Sequence, residues 1–204
     1  MSTIPIEDEI EPDFRIENVV ATASVSLEER LDLMYIKRKI VDTEYNPERF
    51  PGLVLKIKDP RATFLIFSTG KMVITGLRTE EMATKSVKKV FKKLKKIGVK
   101  LPDPEIIIQN IVASGDLHLS IDLNMAAIVM DNSMYEPEVF PGLIYRVLDP
   151  YRCVFLIFST GRIVCTGTKS PSVVETAVKD LNILVRDLDL EMNEPKTYEN
   201  ITFI

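Results

Sequence analysis

The side chains in this sequence that could do chemistry are suited to non-covalent recognition. Phenylalanine, asparagine, threonine and basic residues recur at matched positions in the two halves of the chain. Residues for covalent chemistry are few: Cys153 and Cys165 lack Cys-x-x-Cys spacing, and His118 is the only histidine. One histidine cannot build a histidine metal site, and we expect His118 to be a strand residue. Because no nucleophile, base and orienting group stand out, we predict no enzyme activity and no cofactor.

Charge is distributed unevenly along the chain, whose net charge is −4. Residues 14–104 contain 19 lysines and arginines against 11 acids, whereas residues 105–186 contain 6 against 9. We expect the lysine run from Lys85 to Lys100 to be a helix with a solvated face or a protein or upstream-DNA contact. The acidic start and the absence of a long apolar run predict neither a signal peptide nor a membrane span. A reduced, cytosolic compartment fits best.

The chain contains an internal repeat. The run FLIFSTG occurs at Phe64 to Gly70 and again at Phe155 to Gly161. IENVVATASV aligns with IQNIVASGDL at an offset of 92, EYNPERFPGLVLKIKDP with MYEPEVFPGLIYRVLDP at 90, and the FLIFSTG hairpins at 91. A duplication with small insertions explains all three offsets. We place an acidic N-terminal tail at residues 1–13, the repeats at 14–104 and 105–188, and a C-terminal tail at 189–204.

Each repeat predicts a strand, a helix, four short strands and a final helix. The S-L-E-E run at Ser26 to Glu29 is a capping box and predicts that the first helix begins there. The final helix should end at Gly98 in the first repeat and begin at Ser170-Pro171 in the second. Short links make the sheet antiparallel, and helices with one apolar stripe can cover only one of its faces. We therefore predict an α+β fold whose other sheet face is open.

The open face is predicted to be apolar. Side chains alternate along Phe64 to Phe67, so Leu65 and Phe67 should point to the uncovered side while Phe64 packs under the helices. A broad exposed apolar patch usually marks a binding surface. The alternative is that another sheet, a second subunit or the tails cover this face and make its phenylalanines core. Matched polar residues at Asn18 and Asn110, with basic residues on the neighbouring strands, favour binding.

An apolar centre with a few amides and hydroxyls and a basic margin suits the minor groove of DNA. Sugars and base edges there are largely apolar, the few acceptors can be met by asparagine and threonine, and phosphates line both sides. Aromatic side chains at strand ends could open base steps. The residue pattern thus favours a DNA-binding protein.

The motifs that build this surface resemble those of the TATA-box-binding protein family. They are two [NE]-P-E-x-F-P-G-L loops, two L-I-F-x-x-G-[KR] hairpins, two [IV]-x-T-G endings and two I-x-N-x-V openings, and the resemblance covers residues 14–188. It implies a pseudo-two-fold saddle, an antiparallel sheet of about ten strands with helices on the convex face only. It also implies a general transcription initiation factor that binds and bends TATA-box DNA, since the family is itself a standard example of minor-groove wedging.

The resemblance also implies roles for individual residues. Phe50 with Phe67, and Phe140 with Phe158, would wedge between base pairs, while Asn18 and Asn110 would hydrogen-bond base acceptors. The remaining DNA-contacting positions are Val20, Val112, Thr75 and Thr166 beside the asparagines, Leu65, Leu156, Val73 and Val164 on the groove floor, and Lys56, Lys71, Arg146 and Arg162 facing the backbone. Glu136 and Glu138 would contact the TFIIB-type initiation factor, and through it RNA polymerase.

Two departures leave an alternative open. The second repeat has one extra residue between Pro150 and Phe158, which predicts a β-bulge that re-aims the strand of Phe158. The second repeat is also less basic than the first. The alternative is a TBP-like paralogue that acts mainly as a protein-interaction module with weak or altered DNA binding. F-P-G-L in both loops, with no long N-terminal extension, resembles archaeal members, which implies the cytoplasmic nucleoid; a eukaryotic member would be nuclear.

Overall fold

The computed structural model describes residues 11–192, which fold as two compact units. The first unit is Ile16–Val112, and the second consists of the described residues that precede Ile16 and follow Val112. Most of the predicted tails, residues 1–10 and 193–204, lie outside the described residues. The repeat boundaries at 104 and 105 stay a prediction. Within the described part of the chain, no helix is long and apolar enough to cross a membrane.

The order of elements within each repeat is the predicted one. The first repeat contains β1 (Asp13–Ser24), α1 (Leu33–Lys39), β2 (Thr43–Glu44), β3 (Leu53–Lys58), β4 (Arg61–Ile66), β5 (Lys71–Leu77) and α2 (Glu80–Lys96). The second contains β6 (Glu105–Asp116), α3 (Leu123–Val129), β7 (Ser133–Met134), β8 (Leu143–Val147), β9 (Cys153–Ile157), β10 (Arg162–Thr168) and α4 (Pro171–Asp187). The strands form one ten-stranded sheet in the order β2-β3-β4-β5-β1-β6-β10-β9-β8-β7.

Burial alternates along the strands as the sequence predicts. In β4, Phe64 and Ile66 are fully buried whereas Leu65 between them is half-exposed. The buried face packs under the long helices, α2 against β5 in the first unit and α4 against β10 in the second. Because an antiparallel strand turns alternate side chains to opposite faces, one face of each unit supplies the core and the other remains accessible.

The predicted start of the first helix is wrong. Residues 26–31 are not helical, and α1 begins at Leu33 with Asp32 as its N-cap; an Asp32 carboxylate oxygen accepts the Tyr35 N–H at 2.8 Å. The S-L-E-E run cannot be helical because the Leu31 N–H donates to the Ser68 carbonyl at 2.9 Å and holds this segment against the β4–β5 hairpin. Asp122 caps α3 in the same way, accepting the Met125 N–H at 3.1 Å.

The predicted boundaries of the final helices are confirmed. Thr79 caps α2, which ends just before Gly98 at φ 89°, a left-handed conformation that glycine adopts without strain. Ser170 precedes α4, whose first residue is Pro171. The lysine run lies on α2, where Val90 and Leu94 are buried and most of the lysines are exposed. These helices therefore bury one stripe each.

The predicted bulge in the second repeat is also wrong. Pairing of β8 with β9 is unbroken from Leu143 opposite Ile157 to Val147 opposite Cys153. The extra residue is taken up in the turn, which comprises residues 148–152 where the first repeat has 58–61. Tyr151 in this turn donates its hydroxyl hydrogen to Asp180 on α4. The longer turn is thus tied to the helix and leaves the strand register unchanged.

We expect Tyr151→Phe to lower the free energy of unfolding by about 0.5–1 kcal/mol near pH 7, since one partly exposed hydrogen bond is lost. Burial, and then the Asp180 hydrogen bond, raise the pKa of Tyr151. Its contribution is therefore fully present below the ordinary tyrosine pKa of about 10 and is lost as the pH rises through the higher folded value. Urea unfolding of both proteins at neutral and alkaline pH measures this, with Tyr45→Phe as control. Equal stabilities at pH 7 would contradict it.

Candidate nucleic-acid interface

Strand register places the predicted groove-floor residues in two apolar rows on the uncovered face. Leu65 lies opposite Val73, and Leu156 lies opposite Val164. Directly opposed residues share a face, so each pair forms one surface. All four side chains are half-exposed.

The rows extend to residues that the sequence analysis missed. Val54 on β3 lies opposite Leu65, and Ile144 on β8 lies opposite Leu156. Both could have been found by continuing the alternation through the F-P-G-L motif into the following strand. The next row contains a difference between repeats: Thr63 opposes Thr75, whereas Val154 opposes Thr166. The uncovered face is therefore repeated in shape, with one hydroxyl fewer in the second unit.

Each predicted phenylalanine pair is in contact. Phe50 and Phe67 have ring centroids 5.8 Å apart at an interplanar angle of 65°, and Phe140 and Phe158 are 5.9 Å apart at 64°. Edge-to-face packing of this kind is favourable for aromatic rings. The extra residue before Phe158 leaves the second pair in the same geometry as the first.

Local backbone structure holds the rings. The Phe50 N–H donates to the Asn46 carbonyl at 3.0 Å, and the Phe67 N–H donates to the Lys71 carbonyl at 2.9 Å across the hairpin. A Cβ at Gly52 would lie 2.6 Å from a ring carbon of Phe50, so the ring covers the glycine of the F-P-G-L motif. Gly142 lies under Phe140 in the same way, at 2.8 Å. The motif thus supplies the aromatic ring and the space in which it lies.

The amide of Asn18 is oriented by the strand beside it. Gly76, at φ 83°, lies where the β1–β5 register shifts, and its N–H donates to Asn18 Oδ1 at 2.8 Å. Asn18 Nδ2 donates one hydrogen to Thr75 Oγ1 at 3.3 Å. Because the Gly76 N–H occupies the amide oxygen, the second NH₂ hydrogen is the group that can donate to a ligand. Acceptor atoms such as those of the minor groove match this group.

The other predicted positions lie on the two asparagine strands, β1 and β6, or on β10 beside β6. Val20 follows Asn18 on β1, Asn110 and Val112 lie on β6, and Thr166 lies on β10; all four are half-exposed. The structure brings Asn18 together with Thr75, and each phenylalanine with its predicted partner. Their DNA-contacting role stays a prediction.

The four basic residues that were predicted to face the DNA backbone are all exposed, but one of them forms an ion pair. Lys56 Nζ lies 3.0 Å from Glu44 Oε1, an ion pair on the surface that is screened by solvent. Within residues 11–192, Lys71, Arg146 and Arg162 have no acidic partner. These three are available to an anionic ligand without breaking an existing pair.

The two cysteines and the histidine, whose side chains could take part in covalent chemistry or metal binding, make contacts within the fold. Cys153 and Cys165 are buried on the covered face, where a hydrogen bond with Cys153 and burial raise the pKa of Cys165. The prediction that His118 is a strand residue is wrong: it follows β6 at φ 57°, with Nε2 3.3 Å from a carboxylate oxygen of Asp13. Among the described residues, no cluster of three or more histidine, cysteine or acidic side chains could hold a metal ion.

Comparisons with known proteins agree with this arrangement. A family model described as "Transcription factor TFIID (or TATA-binding protein, TBP)" matches residues 13–97 and 105–188. The TATA-box-binding protein of Pyrobaculum aerophilum is 51% identical over 178 residues, 87% of this chain and 88% of that protein. That of Sulfolobus acidocaldarius is 45% identical over 201 residues, 98% of this chain and all of that protein.

A solved structure supports the fold. "Methanococcus jannaschii TBP" superposes with a TM-score of 0.78 at 38% identity, covering 86% of this chain and 99% of that one. The predicted fold class, an antiparallel sheet of about ten strands with helices on one face, is confirmed by this match and by the strand order. The expected likeness to archaeal proteins is also confirmed.

Phenylalanines on the two faces should differ in their effect on stability. Phe64 is 0% exposed and Phe50 is 38% exposed. We expect Phe64→Ala to cost about 3–5 kcal/mol of unfolding free energy through the cavity it leaves. Phe50→Ala should cost about 0.5–1.5 kcal/mol, the value of its aromatic contact. Urea denaturation measures both, and a cost for Phe50→Ala as large as that for Phe64→Ala would show that the uncovered face is core.

Proposed function

This chain belongs to the TATA-binding protein family, as its motifs predicted, and from that premise we propose that it is a general initiation factor that binds A·T-rich promoter DNA through the minor groove and bends it. The family is one of transcription factors, a kind not known as enzymes. The observation that carries the proposal is the pair of aromatic contacts on the uncovered face, one in each unit, with matching distances and angles.

The aromatic pairs are suited to insertion between base pairs. A wedge must be apolar, rigid and exposed before it meets the stack, because unstacking costs a few kcal/mol per step. Phe50 and Phe67 meet these conditions, since both lie in hydrogen-bonded turns and Phe50 is exposed. The apolar rows from Val54 to Val73 and from Ile144 to Val164 would then lie along the groove floor.

The hydrogen-bonding groups of the uncovered face support binding in the minor groove of DNA and not in the major groove. The Asn18 amide has a second NH₂ hydrogen besides the one donated to Thr75, and minor-groove edges of A·T pairs present only acceptors. A G·C pair adds an exocyclic amino donor there, which an apolar floor cannot satisfy. The proposed preference for A·T-rich DNA follows from this mismatch.

The paralogue hypothesis loses one of the two arguments on which it rested. A bulge that would re-aim Phe158 is absent, because the β8–β9 and β9–β10 registers are continuous, whereas the lower basic content of the second repeat remains. We propose in addition that Glu136 and Glu138, both exposed, contact a TFIIB-type factor, through which RNA polymerase is recruited. The proposed location is the cytoplasmic nucleoid.

Bending is the first property to test. Fluorescence energy transfer between the ends of a short TATA-containing duplex should show selective end-to-end shortening relative to a G·C-rich duplex at the same salt concentration. Phe67→Ala and Phe158→Ala should each reduce the shortening by about half, since each removes a wedge at one kink. The double variant should keep only weak, salt-sensitive binding.

Phe91→Ala is the matched control, because Phe91 lies on α2 and should leave bending unchanged. Full bending by the double variant would contradict the wedge role of these phenylalanines. Equal binding of the two duplexes by the wild-type protein would favour the paralogue hypothesis, in which the protein acts mainly as a protein-interaction module.

The Asn18→Asp variant tests the role of the Asn18 amide in DNA recognition without disturbing the fold. The carboxylate can still accept the Gly76 N–H, so the fold should be kept, but the NH₂ donor is lost. We expect the free energy of TATA binding to become less favourable by about 1–3 kcal/mol, which is roughly a five- to 150-fold loss of affinity. Asn124→Asp, with the same change in charge on α3, should have little effect. Equal losses in both variants would indicate general charge repulsion and contradict a specific donor role.

A further inference from the structure

The chain leaves the described part of the second unit in a defined direction. Ile121 and Glu191 form an antiparallel β-bridge, and the Met192 N–H donates to the Ser120 carbonyl at 2.9 Å. In antiparallel pairing, the next residue of one strand meets the preceding residue of the other, so the chain after Met192 heads toward Leu119. Backbone hydrogen bonds thus set the point from which residues 193–204, the C-terminal segment, start.

This direction leads to the hairpin that carries Phe158. A Cβ at Gly161 would overlap the Leu119 carbonyl oxygen, so Leu119 lies directly against the hairpin turn. Within the same hairpin, the Phe158 N–H donates to the Arg162 carbonyl at 2.9 Å. Val164, in the apolar row of the uncovered face, is two residues farther along β10, a distance of about 7 Å. The C-terminal segment therefore starts close to the apolar row of the second unit.

The uncovered face of the second unit offers both apolar and basic groups. Ile144, Leu156 and Val164 form one half-exposed row across three strands. Arg146 lies two residues after Ile144, and Arg162 lies two residues before Val164, so both arginines share the face with the row. Both are exposed and have no acidic partner within residues 11–192. A matching ligand is extended, apolar and acidic.

The sequence of the C-terminal segment has this chemistry. It reads NEPKTYENITFI, and five of its last seven residues are aromatic or β-branched, types that favour extended structure. In an extended chain, Ile201 and Phe203 would share one side. Glu194 and Glu199 precede them and exceed the one base of the segment, Lys196. The segment thus complements the row and the free arginines.

The N-terminal segment is less suited to this face. The hydrogen bond and ion pair with Glu175, and after them the charge of Glu11, raise the pKa of Lys179 on α4. Helix α4 packs on the covered face of the sheet, against β10. The chain at Glu11 is therefore near the helix side and not near the apolar row.

We propose that the C-terminal segment folds back over the uncovered face of the second unit, covers the row of Ile144, Leu156 and Val164, and so competes with DNA for this surface. Its acidic residues pair with the two free arginines. Twelve extended residues span at most about 40 Å, whereas the three strands of the row are only about 10 Å across, so the segment is long enough. The inference rests on the proposed function, which supplies DNA as the competitor.

A contact within one chain is populated even when it is weak. A short connection gives the segment an effective concentration on the order of 1 mM at the face. A contact with a Kd of about 0.5 mM would then cover the face in about two thirds of the molecules. DNA would meet an open face in the remaining third, which lowers its apparent affinity about threefold.

Deleting the C-terminal segment is the first test. Truncation after Met192 should raise affinity for the TATA duplex at least threefold, measured with the end-labelled duplex used for bending. The full-length variant Ile201→Ser with Phe203→Ser should give the same gain, because it removes the apolar side chains and keeps the charge and length of the segment. Thr197→Ala with Asn200→Ala is the matched control and should leave the affinity unchanged.

A fluorescent reporter tests docking without DNA. The chain contains no tryptophan, so Phe203→Trp introduces a single one. Its emission should be blue-shifted relative to a peptide of residues 193–204 with the same substitution, and should return to the peptide value when the TATA duplex is added. Adding Leu156→Asn should abolish the blue shift, whereas the matched change in the first repeat, Leu65→Asn, should leave it unchanged.

Equal TATA affinity of the full-length and truncated proteins, or a loss of affinity on truncation, would overturn the competition. Peptide-like emission from the DNA-free protein would overturn docking, and equal effects of Leu65→Asn and Leu156→Asn would overturn the assignment to the second unit. A blue shift that grows with protein concentration would place the segment on a second copy and overturn the fold-back contact. Absence of TATA binding by both lengths of the protein would overturn the proposed function, while the emission without DNA would still decide whether the segment docks.

Discussion

The strands of this sheet are apolar on both faces, but helices cover only one face. This constraint decides which side chains form the core and which form the accessible surface. In β4, Phe64 belongs to the core and Leu65 beside it to the accessible surface. A slip of one residue in strand pairing would exchange the two sets, because side chains alternate with a period of two. Stability and recognition therefore both depend on register. The hairpin turns at Gly70 and Gly161, each in a left-handed conformation, fix that register.

The turns that set register also position the aromatic rings. Phe67 and Phe158 lie at the hairpins, where their N–H groups donate to the carbonyls of Lys71 and Arg162 at 2.9 Å. These backbone hydrogen bonds fix the turns that carry the two rings, and both side chains remain half-buried on the uncovered face. This explains why an insertion elsewhere in the second repeat leaves the ring geometry unchanged: it lies in a turn at the opposite end of β9, where Tyr151 ties it to α4.

Features that repeat at a fixed offset could be predicted from the sequence; those that depend on distant partners could not. The order of elements along each repeat followed from the repeated hairpins and helical stripes, and the phenylalanine pairs followed from the family motifs FLIFSTG and F-P-G-L. The start of α1 did not, because the Leu31 N–H bonds to Ser68 across the fold, although the matched D-L pairs at Asp32 and Asp122 carried the signal. The orientation of the Asn18 amide depends on Gly76, which no local pattern in β1 reveals.

The proposed DNA contact uses matching residues from the two repeats, and a surface made of two equal halves could not distinguish the two directions of a duplex. Any directional function must therefore depend on positions where the repeats differ while the fold stays the same. The structure provides two kinds of such position. On the uncovered face, Thr63 is replaced by Val154, which changes hydrogen bonding without changing shape. On the short helices, the basic end of α1 is replaced by the apolar end of α3. Under the proposed function, the first difference is the one that could bias orientation on DNA, because Thr63 and Val154 lie on the uncovered face.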